Sequence, residues 1–161
     1  MTVNPDSSEI LSALRGFPPR YFEQLVADVW QERQEWVTEV MNAGPDRGLD
    51  LIGEPPSGGA KTAVQCKRYK QGNKVTSDQI RQYASLRQQW DDVKRLIVVT
   101  TSSFTRDADE LAKRLNVKCI DGDDLVQIVR RYDATEILDW YASGKPEMWW
   151  RRLMMTFGSG I

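Results

Sequence analysis

From residue 21 to residue 34, apolar residues recur at Phe22, Leu25, Val26, Val29 and Trp30. That i, i+3, i+4, i+7, i+8 spacing predicts an amphipathic helix with one apolar stripe, and Pro18 and Pro19 just before it suit a helix's first turn. Farther on the period changes to two. Residues 36–41 alternate as a strand, and residues 49–53 and 62–69 read as the two arms of a β-hairpin whose loop is punctuated by Pro55, Pro56, Gly58 and Gly59. Ahead of all this, residues 1–16 predict a short helix with Ser7 or Ser8 as N-cap, Glu9 in its first turn, Ile10, Leu11 and Leu14 on one face and Gly16 as its stop. After the hairpin comes a helix over 78–90, capped by Ser77 or Asp78. The β-branched run 95–101 then predicts a strand buried on both faces. A helix over 105–115, a strand over 117–120 and helices over 122–131 and 134–142 follow. This order predicts a three-layer α/β or α+β domain, with the hairpin at one side of the sheet and crossovers after it.

The hairpin divides its side chains by chemistry. Val64 and Cys66 fall on one face of the second arm, Gln65 and Lys67 on the other. A turn centred near residues 57–59 places Asp50 opposite either Gln65 or Lys67, on their face. Pairing with Cys66 would bury the carboxylate among apolar groups, which is costly. A carboxylate, an amide and an ammonium are therefore expected to converge. Asp46 is a second candidate carboxylate, better explained as a turn residue after Pro45. Glu23 lies at the edge of the apolar stripe, beside Ala27 and Trp30, and can face either solvent or the sheet.

Composition narrows the chemistry. The chain has 161 residues, 40% of them hydrophobic, and a formal charge of -1, which predicts one domain with a real core and no global field for nucleic acid. Binding to DNA would need a local patch. Lys67, Arg68, Lys70, Lys74, Arg81 and Arg87 could form one, or could be a solvated face. There is no histidine, so serine-protease-type triads, Cys-His proteases and most zinc hydrolases are excluded. Two cysteines give no zinc-finger spacing. Cys66 and Cys119 both fall in predicted strands and are expected as reduced, buried thiols. No run of about 18 apolar residues and no signal-peptide pattern is visible, so a cytoplasmic location is expected. Residues 145–161, rich in Trp and Met around Arg151 and Arg152, suit a cover for the core edge, a dimer contact, or a membrane-surface or partner patch.

The segments GLDLI (48–52) and VQCKRYK (64–70) resemble the core of the Mrr-like type IV restriction endonucleases, a branch of the PD-(D/E)xK nucleases in which Gln commonly replaces the acidic residue before x-Lys. FEQLVAD (22–28), VVTTSSFTRDA (98–108) and KCIDGDDLVQIV (118–129) extend the likeness over roughly residues 20–130. The turn before the aspartate departs from the family's glycine-rich form, reading GPDRG. The resemblance implies a restriction-endonuclease-like fold with a central mixed sheet flanked by helices. It implies residues 1–17 as an N-terminal helical extension, 18–143 as the catalytic domain and 144–161 as a tail. It further implies Asp50, Gln65, Lys67 and Glu23 as catalytic residues. Mg²⁺, with Mn²⁺ as the alternative, would be held by Asp50, the Gln65 amide oxygen, the Cys66 main-chain carbonyl and Glu23. DNA is the expected partner, contacted by Arg68, Lys70, Lys74 and Arg81, and a homodimer or a separate DNA-recognition partner is compatible with so small a chain.

The expected activity is thus Mg²⁺-dependent endonucleolytic hydrolysis of DNA, in restriction of foreign or modified DNA. Lys67 would orient or deprotonate the attacking water or stabilise the developing phosphorane charge, and Gln65 coordinates without adding charge, so the cation would be loosely held. Two other classes compete. One is a nuclease-like module that binds DNA but cuts weakly or not at all; the other is an interaction protein using its Trp-rich tail on a partner or a membrane surface.

Overall fold

The structure is a computed structural model that describes residues 5–33, 37–40, 51–54, 60–70, 72–88 and 93–143. Helix α1 spans Ser7–Gly16 and α2 spans Pro19–Asp28, continued by a π-helical turn Val29–Arg33. The strands are β1 Val37–Val40, β2 Leu51–Glu54, β3 Lys61–Lys67, β4 Lys74–Val75, β5 Val93–Thr100, β6 Ser103–Phe104 and β7 Val117–Ile120. Between and after them lie α3 Ser77–Arg87, α4 Arg106–Arg114, α5 Gly122–Arg131 and α6 Thr135–Ala142. Five strands form one mixed sheet in the order β1-β2-β3-β5-β7. The first two junctions are antiparallel and the last two parallel, with α3 and α4 as the crossovers.

Two cores lie on the two faces of this sheet. Val64, Cys66, Ile97, Val99 and Ile120 pack with residues of α1, α2, α5 and α6. Ala63, Leu96, Val98 and Val117 pack with Ile80, Tyr83 and Ala84 of α3 and with Ala108, Leu111 and Ala112 of α4. The expected three layers are present. The run from Leu96 to Thr100 on β5 is buried throughout, as a strand covered on both faces requires.

The apolar stripe of α2 and its π-helical continuation is buried at all five positions: Phe22, Leu25, Val26, Val29 and Trp30. Its helix is opened by Pro19 at the first position with no side-chain cap. Asp28, which the stripe pattern leaves out, is also fully buried, and its carboxylate accepts a hydrogen bond from the Tyr141 hydroxyl. That bond ties α2 to α6, where removal of one partner would strand a buried polar group.

Three caps differ from expectation. Helix α1 starts from Asp6, whose side chain accepts from the Glu9 N–H while Glu9 reaches back to Asp6, and its C-cap is Phe17, not Gly16. Helix α3 is capped by Thr76 in a capping box with Gln79. In both helices an acceptor preceded the expected one by a residue, and the reciprocal Glu or Gln three residues on decided between neighbouring candidates. Strand β3 ends at Lys67, two residues early. Beyond it the ladder partner is a side chain: Tyr69 N–H donates to Thr101 Oγ1 at 2.8 Å, and that hydroxyl donates to Tyr69 O at 2.6 Å. The two-residue parallel ladder of β4 with β6 is too short to leave a periodic signal in the sequence.

Candidate functional site

Alternation along β3 separates two sets of residues. Val64 and Cys66 join the core beneath α1, α2, α5 and α6, whereas Ala63 joins the core beneath α3 and α4, so Gln65 and Lys67 face the α3 side. The Lys67 Nζ lies over the ring of Tyr83 on α3, 5.4 Å from its centroid. Burial of the ring, which is 3% exposed, fixes its face toward the ammonium. A protonated amine is attracted to that face by the ring quadrupole, worth about 0.5–2 kcal/mol. Tyr83→Leu is therefore expected to move the NMR signals of the Lys67 side-chain methylenes, which lose the ring's shielding along with its contact. Tyr83→Phe keeps the ring face and should leave those signals near their wild-type positions.

Gln65 is 5% exposed, and its Oε1 has no hydrogen-bond partner among the described residues. An orphaned buried carbonyl-type oxygen costs about 1–3 kcal/mol. Such an acceptor, on one face with an ammonium, has the hard-oxygen chemistry that Mg²⁺ prefers. It is a single oxygen donor, and among the described residues no group of three or more His, Cys, Asp or Glu comes together as a ligand set. Asp50 and Asp46 lie outside the described residues. The strand that follows Asp50 is described: Leu51 pairs with Val64, Ile52 with Ala63 and Gly53 with Thr62.

Glu23 is half-buried on α2, a helix whose Phe22, Leu25 and Val26 pack on the Val64 and Cys66 side of the sheet. Of the residues expected to contact DNA, Lys70 and Lys74 are exposed. Arg81 makes an exposed ion pair with Asp78 at 2.8 Å, weak enough to exchange for another anion. Arg68 is engaged in the fold: its Nη1 donates to the Arg15 carbonyl at 3.2 Å. Arg87, another member of the suggested patch, donates to the carbonyls of Leu115 and Asn116 at the end of α4. Both guanidinium groups are thus partly spent on backbone oxygens, which no charge count along the sequence reveals.

Cys66 and Cys119 are free thiols. Cys66 is buried as expected, but Cys119 is only half-buried, because β7 is the edge strand of the sheet. Burial first, then the charges of Asp109, Asp121 and Asp124, pushes the Cys119 thiol up to about 12. It stays protonated at neutral pH and is no nucleophile. No helix among the described residues is long and apolar enough to cross a membrane. The Trp- and Met-rich segment 145–161 lies outside the described residues.

Residues 14–129 match the restriction endonuclease family Mrr_cat. The chain belongs to that family. The Mrr_cat match takes in β1 to β7 and the whole Gln65–Lys67 neighbourhood, and it makes this a nuclease domain of the restriction-endonuclease type. Solved structures agree on the fold. The DNA modification-dependent restriction endonuclease AspBHI superposes with a TM-score of 0.67 at 19% identity, over 90% of this chain and 42% of its own. The MspJI restriction endonuclease, in complex with a 27-mer oligonucleotide, gives a TM-score of 0.59 at 21% identity, over 92% of this chain and 40% of its own. Restriction endonuclease FokI bound to DNA gives 0.50 at 12% identity, over 78% and 28%. The chain thus spans about two-fifths of the length of AspBHI and MspJI. A comparison with curated proteins produced no match.

Proposed function

We propose that this Mrr_cat domain is a Mg²⁺-dependent DNA endonuclease acting in restriction of foreign or modified DNA, with Asp50, Gln65, Lys67 and Glu23 as its catalytic set. The observation that carries the reading is the buried Oε1 of Gln65, without a hydrogen-bond partner among the described residues, sharing a strand face with Lys67. A peptide bond holds Asp50 next to Leu51, whose partner on β3 is Val64. Of the two pairings the sequence allows for Asp50, with Gln65 or with Lys67, the reading takes the first, which is the one in step with the Leu51–Val64 pairing of the described strand.

In this reading Asp50, Gln65 Oε1, the Cys66 carbonyl and Glu23 would hold the cation, Mg²⁺ or Mn²⁺. When bound, a divalent cation supplies charge neutralisation at the scissile phosphate and a more acidic water. Lys67, held by Tyr83, places its ammonium where negative charge grows on the non-bridging phosphate oxygens, and its N–H groups can orient the attacking water. The neutral Gln65 brings an oxygen without a charge, so cation affinity depends on Asp50 and on Glu23, directly or through a water. Lys70 and Lys74, exposed just beyond β3, suit the flanking phosphates, with Arg68 and Arg81 beside them.

We keep residues 18–143 as the catalytic domain, with 1–17 as an extension packed on it and 144–161 as a tail. A cytoplasmic location accompanies the proposal. Cutting both strands with one such site takes two copies, so a homodimer or a separate DNA-recognition partner belongs to it as well. Incubation with supercoiled plasmid tests the reading: nicked and linear products are expected with Mg²⁺, and none with EDTA. Equal products under both conditions, or none with either Mg²⁺ or Mn²⁺, would sink it.

A further inference from the structure

At the amino ends of β5 and β7, far from Lys67, the structure has a cavity of about 580 Å³ lined by Arg95, Lys113, Asn116 and Lys118, with Leu96 and Val117 contributing apolar wall. Thr62 also lines it, and Thr62 is five residues from Lys67, or about 16 Å along β3. Arg95, Lys113 and Lys118 are all exposed. None of the three has an ion-pair partner among the described residues, unlike Arg81, paired with Asp78, and Arg106, paired with Glu110.

Lys113 alone has an ordinary explanation. It sits in the last turn of α4, where a cation complements the helix dipole. Arg95 and Lys118 are on strands and have no such role. Arg95 is paired with Thr62 and Lys118 with Ile97 two residues along β5, so the two cations are diagonal neighbours on adjacent strands, an arrangement that like charges disfavour. A fourth cation adds to the field, since Arg87 is drawn to the Leu115 and Asn116 carbonyls at the rim. In a chain whose net charge is -1, this concentration of unpaired positive charge is a local feature. The cavity volume falls in the range of small-ligand sites, and the wall combines cations with an apolar surface.

We propose that this cavity is a phosphate-binding site for a nucleotide unit, separate from the nuclease site. Arg95 and Lys118, on one face of the sheet, take the phosphate oxygens, with Lys113 and the Asn116 amide at the same rim. The phosphate ester could belong to a free nucleotide or to the backbone of a nucleic acid.

Binding measured in EDTA with the full chain separates these sources and is independent of cleavage, so failure of the nuclease reading leaves the result interpretable. The probes are ATP and a short blunt DNA duplex. The variants are Arg95→Ala with Lys118→Ala, and Arg95→Gln with Lys118→Gln as a milder pair should the first melt early. Loss of about tenfold in duplex affinity, with a salt dependence shallower by roughly two in slope, at roughly 0.9 per phosphate contact, supports a nucleic-acid backbone. Loss of about tenfold for ATP, with duplex binding unchanged, supports a free nucleotide. If a folded variant binds both probes as the wild type does, the proposal is overturned.

Discussion

Lys67→Ala is expected to lower plasmid cleavage by about a thousandfold, the order of loss that follows removal of a positioned electrostatic or proton-transferring group. Asp50→Ala should do the same, because the principal anionic ligand would be gone. Gln65 gives the more informative variants. Gln65→Glu replaces a neutral oxygen donor by a charged one, and half-saturation should then need less Mg²⁺, on the order of tenfold. Gln65→Met removes the buried oxygen that has no partner among the described residues and fills nearly the same volume. It should raise stability by about 1 kcal/mol while abolishing metal-dependent cutting. Stability gained and activity lost together would mark Gln65 as a residue kept for function at a structural cost. Measuring cleavage against Mg²⁺ concentration beside thermal melting checks both halves. Wild-type cleavage by the folded Lys67→Ala protein would dismiss the assigned role.

Gly122→Ala is expected to destabilise the protein by about 3 kcal/mol, or roughly 8 °C in melting temperature. A Cβ at this position would lie 2.7 Å from the Thr101 carbonyl oxygen and 2.9 Å from the Leu11 Cδ1. Leu11 can rotate, but the Thr101 carbonyl is main chain and is also held by Arg15, whose Nε donates to it at 3.1 Å. The Gly122 N–H meanwhile donates to the Ser102 carbonyl at 2.9 Å. The start of α5 is therefore pressed onto the end of β5. Displacing Thr101 would also disturb the bonds between its hydroxyl and Tyr69, two residues after Lys67. A loss of activity below the melting transition should thus accompany the lower melting temperature. An unchanged melting curve would show that the α5 contact relaxes freely.

Much of the architecture was legible beforehand because the apolar spacing is regular. The stripe of α2, the continuous run of β5 and the boundaries of β7 and α5 were read at or near their observed limits, since each buries one face or both. The hairpin faces were legible for the same reason: a period of two leaves Gln65 and Lys67 together whatever the turn does. The family likeness in VQCKRYK agrees with the Mrr_cat match. Less visible were features that depend on the identity of a distant neighbour. The choice of Asp6 and Thr76 as caps was settled by reciprocal side chains. The early end of β3 came from the Thr101 hydroxyl just past the end of β5. The diversion of Arg68 and Arg87 to carbonyls came from where α1 and α4 happen to stop.

By itself the sequence determined which residues could carry chemistry: without histidine, a hydrolase had to rely on carboxylates, an amide and an amine, and alternation placed the amide and amine on one strand face. Tertiary packing alone decided that the amide oxygen would be buried with no partner among the described residues and that the ammonium would rest on Tyr83. It also gathered Arg95, Lys113 and Lys118 around one cavity. The difference is physical. Periodicity is a local property that burial enforces on every segment, whereas solvation and partnership depend on which groups long-range folding brings within a few ångströms.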